Sequence, residues 1–236
     1  YKKEPIAVAL AGIGEEPDLV ALSCYIWNWN WNRALARAVK EKWPRATVLY
    51  GGVHVPDKPD GDWFDSHSEA DFLLHGEGED GFAKFLLEAA NGREWSKVPG
   101  LSWRDGNVPS RFPLVESLRS PYLDGVFDRL IPMEPRWQCL QETCRGCPFA
   151  CTFCCWGDSA LNKLRQFPMD RVLAEIDWFG ANGVDYCDNA DANFGILQRD
   201  EQIAEAFVKA KERHGGPEKF RTSFAKYSNT QISERV

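Results

Sequence analysis

Cys147, Cys151 and Cys154 form a C-x3-C-x2-C triplet inside the run Glu142-Thr-Cys-Arg-Gly-Cys-Pro-Phe-Ala-Cys-Thr-Phe-Cys-Cys-Trp-Gly157. Three thiolates this closely spaced on a glycine-bearing loop can converge on one cluster of soft metal ions. Four thiolates would close a [4Fe–4S] cluster. Three leave one iron without a protein ligand, and that position can take a substrate. The bland alternative is a structural zinc site. Zinc knuckles usually bring two separated ligand pairs, and no second C-x2-C or H-x3-H pair follows here.

The elements around the triplet are legible from periodicity. Met169 to Asn182 has the spacing of an amphipathic helix, and Val184–Asp188 reads as a strand. The loop Asn189-Ala-Asp191-Ala-Asn193-Phe-Gly195 follows, then a helix from Arg199 to Arg213 and a strand from Lys219 to Lys226. This is the start of a β/α barrel, with about three strand–helix units after the triplet. Ligand loops of such barrels lie at the carboxyl ends of the strands. Asn189, Asp191 and Asn193 are therefore cofactor-binding candidates, although Asx-rich turns also simply cap helices. Ser223 and Lys226 could face the same mouth, but alternating strand residues of no special role explain them better.

The front half predicts an open α/β sheet. Asp18–Trp27 is a continuous apolar run, as expected of a buried parallel strand. Ala46–Tyr50 and Asp71–His75 read as two more strands, and Asn32–Lys42 and Asp80–Ala90 as helices. Pro5–Gly12 is short and apolar, a strand or the tail of a helix. Open sheets of this kind bind ligands beyond the carboxyl ends of their strands. Three loops sit there: Ser23 to Trp31, Gly51 to Pro56, and Gly76-Glu77-Gly78-Glu79. Val98–Asn107 reads as a hairpin with Asp-Gly-Asn at its turn. Proline-punctuated segments follow and read as a linker. The expected division is residues 1–95, a Rossmann-like domain; 96–137, hairpin and linker; and 138–236, a partial barrel.

The chain has 236 residues, 44% hydrophobic and 27% charged, as in a globular protein. A net charge of −7 argues against a nucleic-acid-binding face. No run of about 18 apolar residues predicts a membrane span. The start, Tyr1-Lys-Lys-Glu-Pro, shows neither an initiator Met nor a secretory signal. Five of the eight cysteines crowd into 144–155, which suggests reduced thiols and metal, hence the cytoplasm, over a disulfide framework.

The triplet, with Pro148 and Phe153 beside it, resembles the cluster loop of the radical S-adenosylmethionine (radical SAM) superfamily. The order of motifs extends the likeness. An apolar strand into Tyr25-Ile-Trp27, then Gly51-Gly52-Val53-His-Val-Pro56, then Gly76–Glu79, then the cysteine loop, resembles the cobalamin-binding radical SAM enzymes. Cys144–Gly157 together with Asp191–Ile196 resembles their C-methyltransferase-like subgroup. The resemblance covers about Asp18 to Asn229.

It implies three cofactors: a [4Fe–4S] cluster on Cys147, Cys151 and Cys154, SAM chelating the open iron, and cobalamin. Ser23, Tyr25, Trp27, Gly51, Gly52, Val53 and Gly76 to Glu79 would contact the cobalamin. Phe153, Asn189, Asp191 and Asn193 would contact cofactor on the barrel side, and Trp156 would pack on SAM or shield the cluster. One SAM would methylate cob(I)alamin. A second would yield the 5′-deoxyadenosyl radical, which opens a carbon centre to the methyl group. The substrate would be a small-molecule or peptide natural product, and the electron donor a flavodoxin or ferredoxin.

Departures from the subgroup place Cys144 where it has Asn and Cys155 where it has Asp. Asp65-Ser-His67-Ser-Glu-Ala70 nearly matches the D-x-H-x-x-G loop of other cobalamin proteins, but it ends in Ala and lies after a later strand. His67 is read as a surface loop residue. Cys139 and Cys187 are read as small buried residues. The first βα unit looks short or missing, and the barrel stops about halfway. A cyclase or rearrangement enzyme of the same family is the alternative activity. A non-catalytic iron–sulfur or RNA-binding module is the alternative from another class.

Overall fold

Val48, Leu49 and Tyr50 send successive side chains to opposite faces of a sheet, and both faces are covered. The computed structural model describes residues 3–56, 59–111, 114–128, 130–131, 136–154 and 163–225. They fall into two compact units, Tyr1–Pro113 and Leu114–Val236.

The first unit begins with α1 (Ile6–Ile13), so the short apolar segment is a helix. Then come β1 (Leu19–Ser23), α2 (Trp29–Lys42), β2 (Thr47–Gly51), α3 (Gly61–Ser66), β3 (Phe72–Leu74) and α4 (Gly78–Asn91). A hairpin of β4 (Leu101–Trp103) and β5 (Gly106–Asn107) closes the unit. The sheet runs β1-β2-β3-β4-β5, with the first three strands parallel and the hairpin antiparallel. The hairpin thus pairs with β3 and belongs to the first unit's sheet, not to a linker. Its turn is Arg104-Asp105, with Gly106-Asn107 already in the strand.

In α2, Asn32, Leu35, Ala36 and Val39 are buried at helical spacing. They pack with Val48, Tyr50 and Leu73 on one face of the sheet, while Leu49, Leu74, Phe85 and Leu101 fill the other. Arg33 and Arg37 on α2 reach the buried Glu69 at 2.7 and 3.5 Å. Strand β1 stops at Ser23, well short of Trp27, and is only half-buried. Asn28 ends the run: its Oδ1 accepts from Tyr25 N (2.7 Å) and its Nδ2 donates to Ser23 O (2.9 Å), turning the chain into α2. Trp29 and Trp31 consequently lie on a helix.

The second unit has β6 (Trp137–Gln141), β7 (Cys144–Arg145), β8 (Arg165–Gln166), α5 (Met169–Ala181), β9 (Val184–Asn189), α6 (Asp200–His214) and β10 (Lys219–Arg221). Its main sheet runs β10-β9-β6, all parallel, and β7 pairs with β8 in a separate ribbon. Val172, Ile176 and Phe179 of α5 pack with Ile203, Phe207 and Ala210 of α6 over Cys139, Val184 and Cys187. The two cysteines are register partners and buried, as expected. The β–α–β–α–β order is that of a partial β/α barrel. Strand β6 precedes the cysteine loop and is an element the sequence reading did not identify.

Candidate functional site

In the second unit, Cys147, Cys151 and Cys154 line one cavity of about 390 Å³. The end of β9 and the loop after it, Asp188 to Asn193, also line it, with Leu140, Phe149, Arg221 and Ser223. Cys147 is buried, and Cys151 and Cys154 are half-buried. Cys154 N donates to Cys151 O at 3.0 Å, so the last two thiols share a tight turn. Among the described residues no three His, Cys, Asp or Glu side chains gather closely enough to hold one metal ion. A cluster asks for something else, since each of its three thiolates ligates a different iron.

Two of the residues lining the cavity carry buried amide donors. Asn189 Nδ2 and Asn193 Nδ2 are buried and have no hydrogen-bond partner among the described residues. Asn189 is oriented by its other atom, Oδ1, which accepts from Thr222 Oγ1 (3.0 Å) and Asp191 N (3.3 Å). Two such amides are donors awaiting an acceptor.

Asp191 is committed elsewhere. Its Oδ1 accepts from Thr143 N (2.7 Å) and Cys144 N (3.0 Å), and its Oδ2 accepts from the Thr143 hydroxyl. Burial pushes its pKa up, while the bonds from Thr143 and Cys144 oppose the shift. Arg199 donates to Thr143 O (2.9 Å) and Phe167 O (2.7 Å). Cys144 lies outside the cavity, and burial and the nearby Asp191 push its thiol up to about 12. It is therefore a protonated structural thiol. Burial likewise raises Cys139 to about 11.

In the first unit the parallel strands put Ser23, Gly51 and Leu74 in register, so all three ligand loops emerge at one edge. Gly52 has φ +94°, and a Cβ there would stand 2.8 Å from Cys24 O. Glycine is what permits the β1 and β2 loops to approach this closely. Ile26, Trp27 and Val53 are exposed at this edge (76%, 59% and 85%), a surface suited to a flat apolar ligand. Gly76 takes φ +77°, Glu77 is the N-cap of α4, and Gly78 and Glu79 open the helix.

The B12 binding domain family matches residues 4–86. The 2-(S-pantetheinyl)-carbapenam-3-carboxylate methyltransferase of Streptantibioticus cattleyicolor is 43% identical over 235 residues, covering 95% of this chain and 34% of the relative. Over nearly its whole length the chain is similar to cobalamin-binding radical SAM enzymes. The cobalamin-dependent radical SAM methyltransferase TokK of Streptomyces tokunonensis is 40% identical over 228 residues, 92% of this chain and 33% of TokK. The chain thus spans about a third of the length of these curated relatives. The fold matches the radical SAM methyltransferase TsrM from Kitasatospora setae, solved with cobalamin and a [4Fe–4S] cluster bound. The TM-score is 0.67 at 14% identity, over 98% of this chain and 48% of TsrM.

Not every residue singled out in the sequence lies where it was expected. Phe153 is 82% exposed and is not among the residues lining the cavity. His67, read as a surface loop residue, lies half-buried in the turn that ends α3. It caps α3, stacks on Trp63 at 4.1 Å and bonds the Trp63 carbonyl through Nδ1 at 2.9 Å. Cys155, Trp156 and Lys226 lie outside the described residues. Thr143 and Arg199 were not singled out from the sequence. Their partners lie 48 and 56 residues away, and nothing local signals such pairs.

Proposed function

We propose that this chain is the cobalamin- and cluster-binding portion of a cobalamin-dependent radical SAM methyltransferase. It would methylate an unactivated carbon of a small-molecule or peptide natural product. The observation that carries the reading is the meeting of the cysteine triplet with the Asn189–Asn193 loop in one cavity. Methyltransferase names among the relatives support the reaction type.

When bound, the cluster, SAM and cobalamin would supply one-electron cleavage and a transferable methyl group. The protein's part is to hold and orient. Cys147, Cys151 and Cys154 would each hold one iron. Asn189 and Asn193 would donate to acceptor atoms of SAM, and Leu140 (61% exposed) offers an apolar wall. At the first unit's sheet edge, Ser23, Tyr25, Trp27, Gly51–Val53 and Gly76–Glu79 would contact cobalamin. Trp27 would cover the corrin's lower face. Its indole nitrogen carries a proton and no lone pair, so Trp27 would exclude water and would not ligate the metal. A flavodoxin or ferredoxin would deliver electrons. Among the described residues no helix is long and apolar enough to cross a membrane. The crowding of five cysteines into 144–155 suits the cytoplasm.

The test is anaerobic reconstitution with iron, sulfide and cobalamin, then mass spectrometry with methyl-labelled SAM and candidate substrates. Methylation predicts 5′-deoxyadenosine, S-adenosylhomocysteine and a product heavier by one labelled methyl. 5′-Deoxyadenosine with an unmethylated, rearranged product would overturn methyl transfer.

A further inference from the structure

The cysteine loop departs and returns through two short stems. β7 and β8 pair over only two residues each, Cys144 with Gln166 and Arg145 with Arg165. A ribbon this short is not stable by itself. What holds it comes from the far side of the unit, from the loop after β9 and the start of α6.

Thr143 is the fixed point. It is fully buried, and each of its polar atoms is engaged. Its amide and hydroxyl donate to Asp191, and its carbonyl accepts from Arg199 and from Phe167 N (3.0 Å). Asp191, 5% exposed, also takes the Cys144 amide. Arg199 reaches across, with one terminal nitrogen on the outgoing stem at Thr143 O and the other on the returning stem at Phe167 O. Its Nε is buried without a partner, so the side chain reaches both stems at the cost of a lost bond. Ordinary satisfaction of buried carbonyls would need only neutral donors. Here a planar, two-pronged cation spans the base of the loop, a geometry that lysine cannot reproduce.

We propose that Asp191 and Arg199 form a clamp: two positioning residues that lock both stems of the cysteine loop to the end of β9. The clamp sets where Cys147, Cys151 and Cys154 stand relative to Asn189 and Asn193 in the cavity. Asp191 therefore serves the loop and is not itself a contact to the cofactor. This inference rests on the reading of the triplet as cluster ligands.

Arg199→Lys keeps the charge but reaches one stem at most, and Asp191→Asn removes one acceptor. Phe207→Leu, in the core face of α6, serves as the control for general loosening. Two readouts are needed. The first is hydrogen exchange at the amides of Thr143, Cys144 and Phe167 in the metal-free chain. The second is the rate of iron loss to a chelator after anaerobic reconstitution. Arg199→Lys and Asp191→Asn should each speed both by about tenfold, the size of one lost charged hydrogen bond. Phe207→Leu should lower the melting temperature without singling out those amides or hastening iron loss. If Arg199→Lys and the control behave alike in both readouts, the clamp is overturned. If the parent chain takes up no iron, the cluster reading falls, and the exchange pattern still decides whether the stems are clamped.

Discussion

Tyr25 and Trp27 stack with ring centroids 4.6 Å apart and planes 7° from parallel, just beyond the end of β1. Tyr25 is half-buried beneath an indole that is 59% exposed. An exposed tryptophan supported from below is a preformed platform. Stacking fixes its orientation before any ligand arrives, so less ordering is required on binding.

Trp27→Ala should weaken cobalamin binding by about 30-fold, corresponding to about 2 kcal/mol of lost apolar contact. Bound cob(II)alamin should give a base-off EPR spectrum without histidine nitrogen splitting. His67→Ala should leave that spectrum unchanged, because the ring is occupied with Trp63. A nitrogen triplet that vanishes in His67→Ala would identify His67 as the cobalt ligand.

Gly52→Ala should destabilise the first unit by about 2 kcal/mol, since it combines a left-handed φ with a Cβ forced against the Cys24 backbone. Urea unfolding measures the loss. Gly78→Ala, whose Cβ would meet nothing within 4 Å, should be close to neutral.

The parts of this fold that could be read from sequence carry their cause locally. The thiol spacing, the burial period of α2 and the apolar run of β2 are such cases. β6 escaped notice because its buried positions, Cys139 and Gln141, alternate with exposed Gln138 and Leu140, and Gln141 is a polar residue turned inward. α3 is a six-residue helix capped by Asp60, too short to show a period. β1 is shorter than the apolar run Asp18–Trp27 because the Asn28 bonds turn the chain out of the strand and into α2. The stretch Asn189 to Asn193, which lines the cavity, was legible as an Asx loop at a strand end. The committed role of Asp191 was not, because its partners are distant in sequence.

Cys147→Ala, Cys151→Ala and Cys154→Ala should each abolish retention of a four-iron cluster after anaerobic reconstitution. Cys144→Ala, Cys139→Ala and Cys187→Ala should retain it. Iron and sulfide analysis decides this, and full iron content in Cys151→Ala would remove the triplet as the ligand set.

Glu69 gives the first unit a pH signature. Burial alone would raise its pKa, but the Arg33 hydrogen bond and the charges of Arg33 and Arg37 outweigh that and hold it below its ordinary value of 4.5. A depressed carboxylate stabilises the fold above the unfolded-state pKa, and the contribution is lost as pH falls through the folded-state value. Thermal melts should therefore show the difference between parent and Glu69→Gln, about 2 kcal/mol at pH 7, shrinking below pH 4.5. A difference that stays constant into acid would refute the assignment.

The most direct measurement is the EPR spectrum of the anaerobically reconstituted, dithionite-reduced chain, recorded with and without SAM. The account predicts a reduced-cluster signal whose g-values shift on adding SAM, because one iron is left open beside Asn189 and Asn193. The same sample should yield 5′-deoxyadenosine. A signal that SAM leaves untouched, with no nucleoside formed, would contradict it and make the cysteine loop a structural site.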